Sequence, residues 1–567
     1  MKISKIILGV LAVGAMTVSC EDQMEYKEYS VYDEEYISEH WNKVAGFMTR
    51  IYNNLDYDFG NYYGGASLCS ATDEAMYSRA GNKIEGFYNG AWSPSNDLAC
   101  IWKSAWEGIS YCNLYLDEFN NLTFEDWIED KNYTANLMRA KNFQYEARAT
   151  RAYFYFTLLR AYGAVPLKVN NLDADAANSL PRTSTDEIFA FIKSECDAVK
   201  DSIMRDYITD FGSLSLSDQE TGRMNNLTVM AIKAQAAMYH ASPLFNPDNN
   251  KQLWVEAAEA YEELLDSCAK RGLTLATDYA ELFGEKGWQS KELVFARRVA
   301  KANSFEKYNF PIGMENAQGG NCPTQNLVDA YEMTNGMAIT EAGSGYDPAN
   351  PYAGRDKRLA LTVAVNGEQW PASNPTLLQT YEGGANGLPI TNATPTGYYL
   401  KKYCNGGQII AKSGESQSTH SWMVYRLGGL YLDFAECVFN ATGSCEDAKY
   451  GMSAIQAVNK VRKRAGQPEL AGLTNDEFVA KYRNERFVEL AFEGHRFYDL
   501  RRWKVAGDEK YRTIKVMNIK KAQDGTFTYT PGVSSVSRQW DDKMYFFPIP
   551  QADMLKSNGG WEQNPGW

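Results

Sequence analysis

Histidine is scarce in this chain, and the patterns that mark several common functions are missing. The four histidines, His40, His240, His420 and His495, occur at no spacing typical of a zinc site. The 567 residues contain no CxxC pair, no GxSxG turn and no glycine-rich phosphate loop. The formal net charge is −14 and no basic run is present, which argues against a nucleic-acid partner. We therefore expect no metal centre and no cofactor.

Only one long apolar run occurs, and it lies at the N-terminus. Lys2 and Lys5 precede apolar residues 6–18, and Ser19 stands just before Cys20. The run is shorter than the roughly 20 apolar residues that span a bilayer, and it has the layout of a cleaved secretory signal. A cysteine at this position can become the new N-terminus and carry lipid, although an ordinary signal with a chance cysteine is the alternative. We predict a signal peptide over residues 1–19 and lipidation of Cys20.

Acidic residues follow the predicted lipid site. Residues 21–35 contain seven Asp and Glu residues against a single base, Lys27. Such a segment repels itself and stays extended. We predict a tether over residues 20–40, followed by one folded domain over residues 41–567.

The remaining nine cysteines form no recognisable disulfide framework. Nine is an odd number, so at least one thiol is free or pairs with another chain. Cysteine is often a small buried apolar residue, and that is the role predicted for most of them.

Helical periodicity dominates the sequence. Within residues 139–162 a buried face is predicted from apolar residues at spacings of three, four and seven: Ala140, Phe143, Ala147, Phe154, Leu158 and Ala161. Further helices are predicted over residues 40–55, 98–119, 185–202, 227–241, 254–270, 422–440, 446–465 and 475–503. Several follow each other in pairs with a small/large pattern typical of tetratricopeptide hairpins. The predicted fold is mostly α, with tetratricopeptide-like helix pairs and a few short strands.

Residues 273–420 are different, since they are rich in Gly, Pro, Asn and Thr. This composition predicts a loop-rich insertion, and a second irregular stretch covers residues 60–96. Binding residues are often found on loops held by a rigid scaffold. The chain also contains 37 Tyr, 25 Phe and 13 Trp, more than a core alone suggests. Exposed aromatic rings suit flat apolar faces, such as those of sugar rings or peptide side chains.

Several segments together resemble one family. Residues 483–503 read RNERFVELAFEGHRFYDLRRW, which resembles the C-terminal signature of the SusD/RagB family of outer-membrane nutrient-binding lipoproteins. Other matches follow in the family's order: ATRAYFYF at 149–156, YGAVPL at 162–167, LPRT at 180–183, PTQNLVD at 323–329, RDKRL at 355–359, FPIP at 547–550 and QNPG at 563–566. Lys357 departs from the pattern, because the family usually has proline there.

The resemblance implies a function and a location. It implies a lipid-anchored protein on the outside of a Bacteroidetes-type outer membrane, and the acids after Cys20 resemble the surface-export signal of such lipoproteins. It implies an oligosaccharide ligand, or in some members a peptide. It also implies a SusC-like TonB-dependent transporter as the partner, over which the lipoprotein acts as a lid.

A pair of glutamates raises the alternative of a glycoside hydrolase. Arg486, Glu489, Glu493 and Arg496 are spaced as one stripe on the predicted helix 475–503. Two carboxylates can cleave a glycosidic bond when one of them has a raised pKa. An arginine within one turn of each glutamate favours the ionised form instead, so we interpret the stripe as a structural salt-bridge ladder. We expect no catalysis; the hydrolase and a protein-interaction scaffold of helical repeats stay as alternatives.

Ligand-binding residues are expected in the irregular regions. A sugar site needs a flat aromatic face, with Asp, Asn or Arg for the hydroxyl groups. In the family such groups come from loops that correspond to these regions. The candidates are Asp73, Arg79, Trp92, Asn96, Trp288, Tyr308, Tyr346 and Trp370. Trp92 and Asn96 lead, since they lie in a Gly/Ser/Pro turn where a core role is not expected.

Overall fold

The computed structural model describes residues 33–98, 101–207, 210, 220, 222–557 and 559–567. The signal peptide, Cys20 and most of the predicted tether lie outside the described residues. The helices, α1 to α17 in chain order, are Glu34–Glu39, Trp41–Asn53, Ile101–Glu118, Tyr133–Tyr162, Ala174–Asn178, Thr185–Val199, Asn226–Ala241, Lys251–Lys270, Ser304–Asn309, Gln325–Ala330, Lys357–Thr362, Leu427–Thr442, Ala454–Ala465, Asn475–Glu489, His495–Arg502, Glu509–Arg512 and Gln551–Lys556.

The strands are short and pair two by two. In chain order, β1 to β10 are Ala75–Tyr77, Val165–Pro166, Arg182–Thr183, Leu293–Ala302, Asn321–Pro323, Val363–Ala364, Tyr399–Leu400, Ser418–Arg426, Lys515–Lys521 and Phe527–Val533. The antiparallel pairs are β1 with β5, β2 with β3, β4 with β8, β6 with β7 and β9 with β10. The predicted mostly α fold with a few short strands is confirmed.

The longest helix, α4, follows its sequence pattern. All six residues of the predicted apolar face are buried. The helix ends at Gly163, whose φ of 69° is easily adopted only by glycine. Phe546 lies against Gly163, so the C-terminal segment packs on this end of the helix.

The predicted helix pairs are present. Helix α4 packs against α6, α7 against α8, and α12 against α13. Their facing residues belong to one hydrophobic core, which also contains helices α2 and α3. A second core lies in the loop-rich part of the chain, around Leu327, Tyr331, Leu359 and Tyr398. The helical half therefore forms a scaffold beside a loop-rich half with its own core.

Three helix boundaries were predicted wrongly. Residues 422–426 belong to β8, whose pairing with β4 makes them extended, and α12 begins only at Leu427. Helix α13 begins at Ala454 rather than at residue 446, where a capping box between Ser453 and Gln456 starts it.

The third wrong boundary concerns residues 475–503, which form two helices rather than one. Helix α14 ends at Glu489 and α15 begins at His495. Between them Phe492 and Gly494 have φ values of 62° and 78°. The chain therefore turns where the sequence predicts a continuous helix, and Glu493 lies in that turn.

The eight described cysteines are free thiols. Seven of them are buried and Cys404 is half-buried, which confirms the predicted role as small core residues. Among the described residues, no helix has both the length and the apolar character needed to cross a membrane.

Candidate ligand-binding face

A short strand pair positions Arg79 beside the loop at residues 314–320. Tyr77 on β1 pairs with Asn321 on β5, and the Ser78 N–H donates to the Gly320 carbonyl at 2.9 Å. The two segments stay close together beyond these residues. The exposed Arg79 guanidinium donates from Nη1 to Oε1 of Gln318 at 2.5 Å. The side chains of Arg79 and Gln318 are thereby held together at the surface.

Two buried asparagines fix the loops beneath this pair. Asn321 accepts from the Ser67 N–H at Oδ1 (2.9 Å) and donates from Nδ2 to the Gly65 carbonyl (3.1 Å). Asn309, the last residue of α9, accepts from both the backbone N–H and Nδ2 of Asn321, at 3.0 and 2.9 Å. Buried amides with all of these partners hold a unique geometry. The loop at residues 60–70, helix α9 and the segment 318–322 therefore form one rigid unit.

The ring of Tyr308 lies directly on the backbone of Gly65. A Cβ added at Gly65 would lie 2.8 Å from Cδ1 of Tyr308, and its φ of 101° also favours glycine. The hydroxyl of Tyr77 also lies close to Gly65 and donates to the Gly64 carbonyl at 3.0 Å. Tyr308 is half-buried, so one side of the ring is supported and part of it is exposed.

We call Tyr308, Arg79, Gln318 and the supporting loop 60–66 the tyrosine platform. Burial raises the pKa of the Tyr77 hydroxyl to about 12, with Arg79 opposing that shift. This phenol therefore stays protonated as a donor at physiological pH. The platform combines an aromatic face, a guanidinium with only donors and an amide with both donors and an acceptor. Such a set can hold a ring with an apolar face and several hydroxyl groups.

Two of the predicted binding residues are buried in structural contacts. Asp73 is 3% exposed and accepts from Nε and Nη2 of Arg496, at 2.9 and 2.6 Å. Trp92 is 3% exposed and lies among Phe87, Phe547 and Trp567. The expectation that Trp92 has no core role is wrong, because Phe547 and Trp567 of the C-terminal segment cover its ring.

The turn itself is exposed, and Asn96 lies on it. Its side-chain nitrogen donates to the Ala91 carbonyl at 2.7 Å, which braces the turn. The amide oxygen of the same side chain is the group that it could offer a ligand.

The other predicted aromatic residues lie in three separate environments and are half-buried. Trp288 lies under the guanidinium of Arg298, 4.4 Å from the ring centroid. Tyr346 has Arg355 at 5.6 Å. Trp370 contacts Phe310 edge-on and donates to the Leu400 carbonyl at 3.2 Å. Of the eight predicted residues, Arg79 and Tyr308 are the two that the platform brings together.

Sequence reasoning did not identify Gln318 or the two structural asparagines. Gln318 lies in the stretch Asn316–Gly320, within the loop-rich region 273–420. The one available signal was its position just before the PTQNLVD segment, which fixes β5 opposite β1. Asn309 and Asn321 could not be identified, because the sequence does not distinguish an asparagine with a buried amide from one in an exposed loop.

The two glutamates of the predicted stripe are held by bases from other elements. Glu489 accepts from Arg426 at 2.6 Å, from Arg358 at 2.8 Å and also from Arg464. Glu493 accepts from Arg426 and Lys402, at 2.7 and 2.8 Å. The prediction that Arg486 and Arg496 pair with these glutamates is therefore wrong. The interpretation that the two glutamates form structural salt bridges is confirmed. The surrounding guanidiniums outweigh burial and hold the pKa of both carboxyls below its usual value, so neither can act as a general acid.

Raised carboxyl pKa values occur elsewhere, at the buried Asp58 and Glu74 and also at the half-buried Asp97 and Glu262. Burial raises the pKa of Asp58 to about 7 and that of Glu74 to about 8. Asp58 lines a cavity of about 50 Å³, which is far smaller than a typical ligand pocket of roughly 300–1,000 Å³. Within the described part of the chain, no group of three or more His, Cys, Asp or Glu side chains could hold a metal ion.

The sequence and the fold of this chain are similar to those of known proteins. Residues 291–567 match the family model described as the SusD family. "SusD-like protein P25" from Formosa agariphila is 22% identical over 550 residues, which covers 90% of this chain and 91% of that protein.

Solved structures share the fold. A SusD-like carbohydrate binding protein from Bacteroides fragilis superposes with a TM-score of 0.72 at 20% identity, covering 92% of this chain and 99% of the other. A laminarin binding SusD-like protein gives a TM-score of 0.61 at 20% identity, covering 93% and 99%. The family match, the full-length relative and the shared fold agree with the ordered motifs of the sequence, and the chain belongs to the SusD/RagB family.

Proposed function

We propose that this protein binds an oligosaccharide at the cell surface and does not cleave it. The observation that carries the proposal is the tyrosine platform. The Tyr308 ring is supported by Gly65, and Gln318, the partner of Arg79, donates from its N–H to the carbonyl of the adjacent Lys307 at 2.9 Å. An aromatic face can stack on the C–H face of a sugar ring, while the guanidinium and amide bond its hydroxyls. Two similar proteins bear the descriptions carbohydrate binding and laminarin binding, which supports this ligand class.

The absence of catalysis in this proposal rests on the carboxylates. Glu489 and Glu493 are buried and ionised, and Asp58 lines a cavity too small for a sugar ring. A glycosidase needs two carboxyl groups on either side of the scissile bond, one of them protonated. The tyrosine platform provides aromatic, guanidinium and amide groups but no such pair.

We further propose that the protein works from the outer face of an outer membrane, anchored through Cys20. The predicted signal peptide and the acids after Cys20 support this location. Membership of the family makes a TonB-dependent transporter the expected recipient of the ligand. Co-purification of the native protein with an outer-membrane barrel would support that partnership.

A polysaccharide panel identifies the ligand, and variants test the site. With the mature chain, Tyr308→Ala should weaken binding about tenfold to a hundredfold, since stacking on an aromatic ring is worth about 1–3 kcal/mol for flat nucleobases. Tyr308→Phe keeps the ring and should bind nearly as well. Arg79→Ala should also weaken binding. Tyr431→Ala, at a half-buried tyrosine of α12, is the matched control and should leave affinity unchanged.

Three results would contradict the proposal. Full affinity of Tyr308→Ala for the best glycan would exclude the platform. Tight binding of a peptide panel with no glycan binding would favour the peptide-binding alternative. Release of shorter sugars by purified wild-type protein would favour a hydrolase.

A further inference from the structure

A cleft of about 600 Å³ is present in addition to the tyrosine platform. It lies where α3, the segment 166–180 and the C-terminal segment 550–561 meet. We call it the tryptophan cleft, since its aromatic lining is Trp102, Trp106, Tyr111 and Trp561. Its volume falls within the usual range of small-ligand sites. None of its lining residues belongs to the tyrosine platform.

Two of the three indole rings that line the cleft are fixed by hydrogen bonds. A spacing of four residues places Trp102 and Trp106 on one face of α3, with centroids 5.6 Å apart and planes at 70°. Trp102 donates from its indole nitrogen to Oδ2 of Asp553 at 2.9 Å. Trp561 donates to the Leu180 carbonyl at 2.8 Å. Because the indoles of Trp102 and Trp561 are hydrogen-bonded within the protein, these two rings lose little freedom when a ligand arrives.

The rings are also partly open to the cleft. Trp102 is buried, whereas Trp106, Tyr111 and Trp561 are half-buried. A ligand therefore meets aromatic surface on both the α3 side and the C-terminal side. Stacking from two sides suits a ring that has apolar C–H faces.

Acidic and basic side chains line the cleft in equal numbers. Three carboxylates, from Asp97, Glu107 and Asp553, stand among three ammonium groups, from Lys103, Lys168 and Lys556. Lys556 and Asp553 pair at 2.7 Å. Burial raises the pKa of Asp97 and lowers that of Lys168, so both groups lie in partly desolvated positions.

This balance selects a class of ligand. A strongly anionic or cationic ligand would meet like charges as well as opposite ones. A neutral polyhydroxylated ligand uses both kinds of group, because its hydroxyls donate to carboxylates and accept from ammonium groups. An apolar peptide would use the rings but would desolvate the six charged groups without bonding them.

We infer that the tryptophan cleft is a second saccharide-binding site, which takes a neutral segment of an oligosaccharide between Trp106 and Trp561. The inference rests on the proposed function for its ligand class, but not on the platform. Two separate sites on one chain would hold a long glycan more tightly than a short one, because the second contact becomes intramolecular.

The test measures stoichiometry and affinity by calorimetry with a panel of neutral hexasaccharides and with their parent polysaccharides. Wild-type protein should bind two hexasaccharides per chain, and Tyr308→Ala should bind one. Trp106→Ala should lose the other site and weaken polysaccharide binding about tenfold or more. The variant Lys103→Ala/Glu107→Ala keeps the net charge and changes two exposed residues, so it tests the cleft even if Trp106→Ala fails to fold.

The outcomes separate the two proposals. If wild-type protein binds one hexasaccharide per chain and Tyr308→Ala binds none, the tryptophan cleft is not a saccharide site. The proposal for the tyrosine platform would then be supported. If the two cleft variants lose all binding and Tyr308→Ala binds like wild type, the tryptophan cleft is supported as a saccharide site and the tyrosine platform is excluded as one. Binding of an apolar peptide at the cleft without any hexasaccharide there would overturn the ligand class. Failure of every neutral glycan to bind wild-type protein would overturn both.

Discussion

Arg426 donates from Nη1 to Oε1 of Glu489 at 2.6 Å, although one residue ends β8 and the other ends α14. The same guanidinium reaches Glu493 from Nη2 and Nε, both at 2.7 Å. It therefore joins the end of a strand to the end of α14 and to the turn that follows it. All three residues are buried, so water cannot replace a lost partner.

Glu489→Gln should lower the free energy of unfolding by about 3–5 kcal/mol. Removal of one partner from a buried ion pair leaves uncompensated charge, here on Arg426, Arg358 and Arg464. Chemical denaturation of the mature chain measures the change. Glu259→Gln, at an exposed glutamate of α8, is the matched control and should change stability by less than about 0.5 kcal/mol. An equally small effect of Glu489→Gln would show that the network contributes little.

Trp92→Ala should destabilise the protein and leave glycan affinity unchanged. The indole touches Phe87, Phe547 and Trp567 at centroid distances of 4.7, 4.8 and 5.1 Å. Truncation of a buried tryptophan typically costs about 3–5 kcal/mol. Thermal unfolding and a binding isotherm of the same variant separate the two effects.

The control for Trp92→Ala is Trp127→Ala, since Trp127 is 42% exposed and should tolerate truncation better. A tenfold loss of affinity in folded Trp92→Ala protein would contradict this prediction and indicate that Trp92 contributes to glycan binding.

The contrast between these residues shows what the sequence could predict. The apolar face of α4 is local, so the spacing of Ala140, Phe143 and Ala147 suffices to identify it. Trp92 lies in a stretch with turn composition, and only the distant residues Phe547 and Trp567 bury it. Contacts of that separation leave no trace in a local pattern.

The break after α14 has the same kind of cause. Residues 483–503 carry a continuous helical pattern, which is why one helix was predicted. The Phe492 N–H donates to the carboxylate of Glu74, and the Trp422 ring lies against Gly494. These tertiary contacts stabilise a turn that local propensity does not favour. For the site, composition and family resemblance selected Arg79 and Tyr308, whose contact with a ligand stays a prediction.

Asp58 should make the protein less stable as the pH rises toward neutrality. Burial raises the pKa of its carboxyl in the folded state to about 7, from about 3.9 in the unfolded chain. Below pH 4 both states are protonated. Between about pH 4 and 7 the unfolded state releases the proton first, so stability falls by up to about 1.4 kcal/mol per pH unit and is constant above that range.

Asp58→Asn removes this titration and keeps an oxygen for the Leu68 N–H, which donates to Asp58 at 2.7 Å. The variant should therefore gain a few kcal/mol of stability relative to wild type between pH 4 and 7. Urea unfolding across that range measures the difference. Asp248→Asn, at an exposed loop position, should follow the wild-type profile. A constant difference between wild type and Asp58→Asn would mean that Asp58 is ionised throughout.

The last prediction concerns the anchor, which lies outside the described residues. Cys20→Ala should release the protein from the membrane fraction, because the described part of the chain contains no membrane-spanning helix and the lipid would be its only covalent hold. The tyrosine platform and the tryptophan cleft lie far along the chain from residue 20, so the released protein should bind glycan with wild-type affinity. Fractionation is best done in cells that lack the partner transporter, since binding to that protein would retain the variant without any lipid. Retention of Cys20→Ala in such cells would contradict lipidation at this residue, whereas release with lost glycan binding would show that the anchor segment also supports the fold.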